Sequence, residues 1–190
     1  MKEENFFVYS LEKLLEAVDA LEKEKGGHHS VSLTGGEPLF YAPFLQNFLP
    51  ALKERGLGTY LETNGTLPRE LERVIRWCDV IAMDVKPCSS TNDRSFWAEH
   101  EEFLKIAVRK EVFVKVVVTP KTTLEDVQRS VALVEGIHPG IPFIFQPLSD
   151  PFGINVQSLQ LIENTFSPFA KERLGDVRII PQMHKIWGVR

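Results

Sequence analysis

Ser30–Leu39, SVSLTGGEPL, is the stretch around which the chain is organised. Val31 to Thr34 reads as a short buried strand that runs directly into Gly35-Gly36-Glu37-Pro38. Two glycines at a strand end remove both side chains and widen the allowed backbone angles, so a ligand can approach the main chain. Glu37 adds a carboxylate there, and Pro38 turns the chain into the next helix. In α/β proteins ligands gather at the carboxyl ends of parallel strands, which makes Gly-Gly-Glu a candidate clamp for a polar, cationic group. The plainer alternative is a tight turn with a surface glutamate. No Gly-Lys-Ser/Thr follows, so this is not a P-loop.

Outward from this stretch, strand and helix patterns alternate. Upstream, Ser10 caps a helix carrying Leu11, Leu14, Leu15, Val18 and Leu21, which Gly26-Gly27 stops. His28 and His29 follow in a loop. As neighbours on an extended chain they point in opposite directions, which does not suit metal ligands. Downstream, a helix from about Pro43 to Arg55 contains Pro50 and is expected to kink there. Strands follow at Thr59–Glu62, Val80–Val85, Val112–Thr119, Pro142–Gln146 and Val177–Ile180, with helical patterns between them. This rhythm predicts a parallel α/β sheet in a single domain over 1–190. Six strands are too few for an eight-stranded barrel, which leaves a partial barrel or an open doubly wound sheet.

Polar residues recur at the strand ends: Glu37; Glu62, Thr63 and Asn64; Asp84 and Lys86; Gln146; His184. In a parallel sheet they converge on one rim, the strongest sign of a binding or active site. For each group the competing reading is structural: an Asn-Gly turn after Glu62, a salt-linked pair at Asp84 and Lys86. An Asn-Gly hairpin would need an antiparallel strand next, but Pro68 and a helical pattern follow.

The bulk properties narrow the function class. The 43% hydrophobic and 25% charged fractions suit a globular chain with a core. A net charge of −4 argues against a nucleic-acid surface, and no apolar run is long enough for a membrane span. MKEENFF has no signal-peptide pattern, so the cytoplasm is the expected compartment. Only Cys78 and Cys88 are present, without disulfide or C-x-x-C spacing.

The motifs LTGGEPL (33–39), LETNGTLP (61–68), MDVKPCSS (83–90), FQPLSD (145–150) and VRIIPQMHK (177–185) resemble, in order and spacing, the radical S-adenosylmethionine (radical SAM) superfamily. Within it they are most similar to the family of 7-carboxy-7-deazaguanine synthases. The resemblance implies a parallel partial (β/α)6-type barrel. It implies S-adenosylmethionine, a 4Fe–4S cluster and Mg²⁺ as cofactors. It also implies a radical ring contraction of 6-carboxy-5,6,7,8-tetrahydropterin, with loss of ammonia, in queuosine and deazapurine biosynthesis.

By the same resemblance, Gly35, Gly36 and Glu37 receive the amino group of S-adenosylmethionine. Asp84, Lys86 and Ser89 or Ser90 contact its carboxylate or ribose. Thr63, Gln146, His184 and the terminal carboxylate of Arg190 address the pterin. No catalytic residue is identified. The family's C-x3-C-x2-C cluster ligands are not found: no cysteine precedes Cys78. The expectation is therefore a domain whose first strand and cluster loop lie outside this chain, making no radical by itself. The alternative is a non-catalytic relative that binds S-adenosylmethionine, a pterin or a protein. A lost first strand would also expose the next one as an edge, which predicts a homodimer, a partner supplying the missing segment, or cover from Asn5 to Tyr9.

Overall fold

The computed structural model describes residues 10–25, 27–91, 94–150 and 153–183. Helix α1 (Leu11–Lys25) starts at Ser10, whose hydroxyl accepts the Lys13 N–H. Then come β1 (Ser30–Leu33), α2 (Ala42–Glu54), β2 (Gly58–Thr63), α3 (Pro68–Val74), β3 (Val80–Val85), the short α4 (Cys88–Thr91), α5 (Trp97–Ala107), β4 (Glu111–Val118), α6 (Leu124–Ile137) and β5 (Phe143–Pro147). A small antiparallel pair, β6 (Ser149–Asp150) and β7 (Gly153–Ile154), precedes α7 (Val156–Leu161), α8 (Ser167–Lys171) and β8 (Val177–Ile179).

Among the described residues six strands form one sheet in the order β1-β2-β3-β4-β5-β8, every neighbour parallel. Sequential strands are spatial neighbours throughout, so the order never reverses as it does in a doubly wound sheet. The helices touch one another in the row α1, α2, α3, α5, α6, following the strand order. They bury one sheet face, through Leu61, Ile81, Met83, Val85, Val114, Val116 and Phe145. The other face carries the half-buried Tyr60, Glu62, Asp84, Phe113, Lys115 and Gln146. One-sided covering of a sheet read strictly in order is the partial-barrel arrangement, and it decides between the two alternatives left by the strand count.

One local feature follows the sequence expectation and two differ from it. Helix α2 runs through Pro50 to Glu54, the extent expected, with the lost hydrogen bond outweighed by burying Leu45, Phe48, Leu49 and Leu52. The last helical region is not uniform: a π-helical stretch, Ile162–Phe166, joins α7 to α8. The β6–β7 pair occupies the connection ahead of that helix, where no strand was expected. β1 stands at one sheet edge among the described residues, and Asn5 to Tyr9 lie outside them. No helix of the described residues is long and apolar enough to cross a membrane.

Candidate active site

Alternation along each strand sends every second residue to the uncovered face. The parallel register then sets Asp84 beside Lys115, and Val117 beside Gln146. Lys115 is only 16% exposed, and its Nζ lies 3.7 Å from Glu62 Oε2. Asp84 Oδ1 is buried without a hydrogen-bond partner. Burial pushes the Asp84 carboxyl above its ordinary value, opposed by the nearby Lys115 and Lys86 charges and reinforced by Glu62. Burial, with Glu62 close by, lifts the Tyr60 hydroxyl to about 12.

Three adjoining clefts of about 330, 480 and 250 Å³ open over these strand ends, and Asp84 and Lys86 line all three. One is bounded by Gly35, Gly36, Thr63 and Asn64, with Glu62 and Lys115. Both glycines hold left-handed φ angles, 90° and 57°. No heavy atom outside their immediate neighbours stands within 4 Å of where a Cβ would project. The backbone is thus open to a ligand there. A second cleft adds Ser90, Gln146 and Gln182. The third is walled by Phe40, Phe96 and His100.

Glu37 is placed differently from its two glycines. It is 6% exposed and its carboxylate is occupied by the protein. Oε1 accepts from Leu39 N at 3.1 Å and from the Thr63 hydroxyl at 2.8 Å, and Oε2 accepts from Asn64 N at 2.8 Å. Thr63, itself buried, spends its proton on Glu37 and accepts from Gly65 N. The two serines part company as well. Ser89 faces α6: its N–H donates to Asp126 Oδ2 at 3.0 Å, and its hydroxyl accepts from Thr123 N. Ser90 stays on the cleft, its hydroxyl 2.7 Å from that of Thr122. Gln146 lies in the cleft as expected, whereas His184 and Arg190 fall outside the described residues.

Sequence reasoning missed Lys115, Gln182 and His100, and gave Glu62 and Asn64 no role. A lone lysine in the otherwise apolar run Val112–Val118 is a signal that could have found Lys115. His100 carries no such mark, being one polar residue in an amphipathic helix.

The glycine cradle, the orphaned Asp84 oxygen and the adjacent cations fit an amino-acid-type cofactor bearing ammonium and carboxylate groups. The thiols do not fit an iron–sulfur cluster. Cys78 is sealed in the core, its thiol on the Val74 carbonyl and pushed by burial up to about 11; Cys88 is half-buried at the start of α4. Two thiols fall below the three that such a cluster requires, and among the described residues no group of His, Cys, Asp and Glu is placed to hold a metal.

The chain belongs to the radical SAM superfamily, whose family model matches residues 1–134. The superfamily implies S-adenosylmethionine and a 4Fe–4S cluster. Within it, the chain is similar to 7-carboxy-7-deazaguanine synthases. It is 38% identical to that of Geobacter sulfurreducens over 184 residues, covering 94% of this chain and 71% of the relative. It is 34% identical to that of Thermococcus kodakarensis over 189 residues, covering 95% and 70%. In fold it is similar to a domain of pyruvate-formate lyase-activating enzyme from Bacteroides vulgatus, with TM-score 0.61, 16% identity, and coverage of 80% of this chain and 99% of that one. TYW1, solved with a lysine–pyruvate adduct bound, gives TM-score 0.57 at 17% identity, covering 86% and 59%.

Proposed function

We propose that this chain binds S-adenosylmethionine and a carboxylated pterin over its strand ends, as part of a 7-carboxy-7-deazaguanine synthase, a carbon–nitrogen lyase of queuosine and deazapurine biosynthesis. The observation that carries this reading is the meeting of Gly35–Gly36, Asp84, Lys86 and Lys115 around one cleft, in a chain 38% identical to such a synthase. The Gly35–Gly36 carbonyls receive the cofactor's ammonium, and Glu37 acts from behind by holding the Thr63–Asn64 loop. Lys86 neutralises its carboxylate, and Asp84 with Ser90 meets the ribose. Gln146, beside the Glu62–Lys115 pair, addresses the pterin, and His184 is assigned to the same substrate; Thr63, buried and bonded to Glu37, supports the loop behind them. S-adenosylmethionine bound there would supply hydrogen abstraction from the substrate once an electron from the iron–sulfur cluster has cleaved it. Among the described residues none is placed to hold the Mg²⁺ that the family resemblance implies, and the compartment of this reading is the cytoplasm.

The thiol count favours a second reading, in which residues 1–190 bind these ligands without turning them over. On the first reading the cluster's thiolates come from beyond these residues or from a partner, and the β1 edge is a place where a second copy or that partner joins.

Calorimetry with S-adenosylmethionine and with 6-carboxy-5,6,7,8-tetrahydropterin tests the binding that both readings share; absence of heat from both ligands overturns them. Anaerobic incubation of the protein isolated from its own source, with any further segment or partner retained, with iron, sulfide and reductant then separates them. Formation of 7-carboxy-7-deazaguanine, read by mass spectrometry, supports the enzyme; binding without product supports the binder.

A further inference from the structure

Asn64, the residue that follows Thr63, is gripped through both of its backbone polar groups. The Asn64 N–H donates to Glu37 Oε2 at 2.8 Å. The Asn64 carbonyl receives a hydrogen bond from His100 Nε2 at 3.0 Å. A carbonyl only accepts, so the imidazole carries its proton on Nε2 and its Nδ1 is left as an acceptor. That Nδ1 is buried without a partner, in a residue 4% exposed and packed between Phe96 and Trp97. A leucine or phenylalanine would fill this apolar slot without stranding a polar atom. The structural return on the histidine is the single N–H delivered to Asn64.

The Asn64 side chain is fixed as well. Its Oδ1 accepts from Thr66 N at 3.0 Å and from the Thr66 hydroxyl at 2.6 Å. This settles which end of the amide is oxygen. The Nδ2 group has no hydrogen-bond partner among the described residues, and Asn64 lines both the glycine cleft and the Phe40–Phe96 cleft.

We propose that Asn64 is a specificity-determining donor of this site, its Nδ2 held ready for an oxygen of the bound ligand, and that Glu37 and His100 are the positioning residues that hold it. The ligand group is a carboxylate or carbonyl oxygen, because the Nδ2 amide group only donates and needs an acceptor to meet it. The assignment rests on the cofactor-binding reading above. It adds that Glu37 works by aiming the loop: three of its acceptor positions are filled by Leu39, Thr63 and Asn64.

The test compares His100→Leu, which deletes the donor, with His100→Gln, whose amide nitrogen reaches the place of Nε2, and with Asn64→Ala. S-adenosylmethionine affinity is measured by calorimetry, and exchange of the Asn64 backbone amide by hydrogen–deuterium NMR. The expected result is affinity weakened roughly tenfold in His100→Leu and Asn64→Ala but within about threefold of native in His100→Gln. Asn64 amide exchange should be slow in the native chain and His100→Gln, and fast in His100→Leu. Native affinity in His100→Leu or in Asn64→Ala overturns the assignment, as does a His100→Gln variant no better than His100→Leu. Should His100→Leu fail to fold, Asn64→Ala and His100→Gln decide by the same criteria. If the native chain binds no S-adenosylmethionine, the cofactor reading falls with the donor role, and the clamp is judged on exchange alone, where equal rates in all variants overturn it.

Discussion

Asp84 shows most directly the conflict between stability and function at the level of a residue. Its carboxyl is raised by burial, so the folded chain binds its proton more readily than the unfolded chain does. Stability therefore falls as pH climbs from the ordinary carboxyl value through the raised one. Asp84→Asn removes that penalty. The variant should be about 1 kcal/mol more stable than native at pH 7 by thermal melting, and this advantage should vanish below pH 3.8, the ordinary value, where the native carboxyl is protonated in both states. The same change should weaken S-adenosylmethionine binding by roughly tenfold, about 1.4 kcal/mol, in calorimetry. Gain of stability with loss of affinity is the mark of a functional residue held in an unfavourable place. The two thiols differ by the same physics. Cys78, buried and with a raised thiol value, should resist iodoacetamide in the native fold, while the half-buried Cys88 is alkylated first, as peptide mass mapping would report.

At the level of elements, the turns after β1 and β2 do different work with the same residue type. A Cβ at Gly65, where φ is 69°, would stand 2.7 Å from the Met83 side chain, whereas one at Gly36, φ 57°, meets open space. Gly65→Ala combines backbone strain with a core clash and should cost about 2–4 kcal/mol in denaturant unfolding. Gly36→Ala carries only the backbone term, about 1–2 kcal/mol, and should lose ligand affinity out of proportion to stability. An equal stability loss in both would show that the Gly36 side of the cleft is closed. Further along, Thr123 caps α6 by accepting the Asp126 N–H, and Asp126 in turn holds the Ser89 N–H. Thr123→Ala should cost about 1 kcal/mol. Its effect on ligand affinity should be smaller than that of Asp84→Asn, because the cap lies behind the cleft.

The whole molecule is a sheet with helices on one face and polar, half-buried residues on the other. Such a face gains most from being filled. S-adenosylmethionine at a hundredfold excess over its Kd should add about 2.7 kcal/mol to the unfolding free energy. For a chain of this size that raises Tm by roughly 5–10 °C, measurable by scanning calorimetry. An unchanged Tm at saturating ligand would argue against a site on this face. The gain should be reduced in Asp84→Asn and retained in Thr123→Ala, which ties the whole-chain effect to the strand-end residues.

Much of this molecule is legible along the chain, because its signals are local. Strand and helix follow from hydrophobic period, the Gly35–Gly36 turn from two residues without side chains, and the polar strand ends from their place in that rhythm. Asp84, Lys86, Gln146 and the glycine pair, singled out this way, line the clefts over the strand ends, and the family follows from the resemblance of the five motifs. Other features depend on residues far apart in sequence. Whether the strands form a doubly wound sheet or a partial barrel depends on where the helices dock, which no single segment encodes. Lys115 meets Asp84 and Glu62 only through the parallel register of three strands. Glu37 turns away from the cleft because Thr63 and Asn64, 26 and 27 residues later, offer it hydrogen bonds. Periodicity says which residues share a face of a strand. Packing alone says which face is covered, and therefore which polar groups satisfy one another and which are left for a ligand.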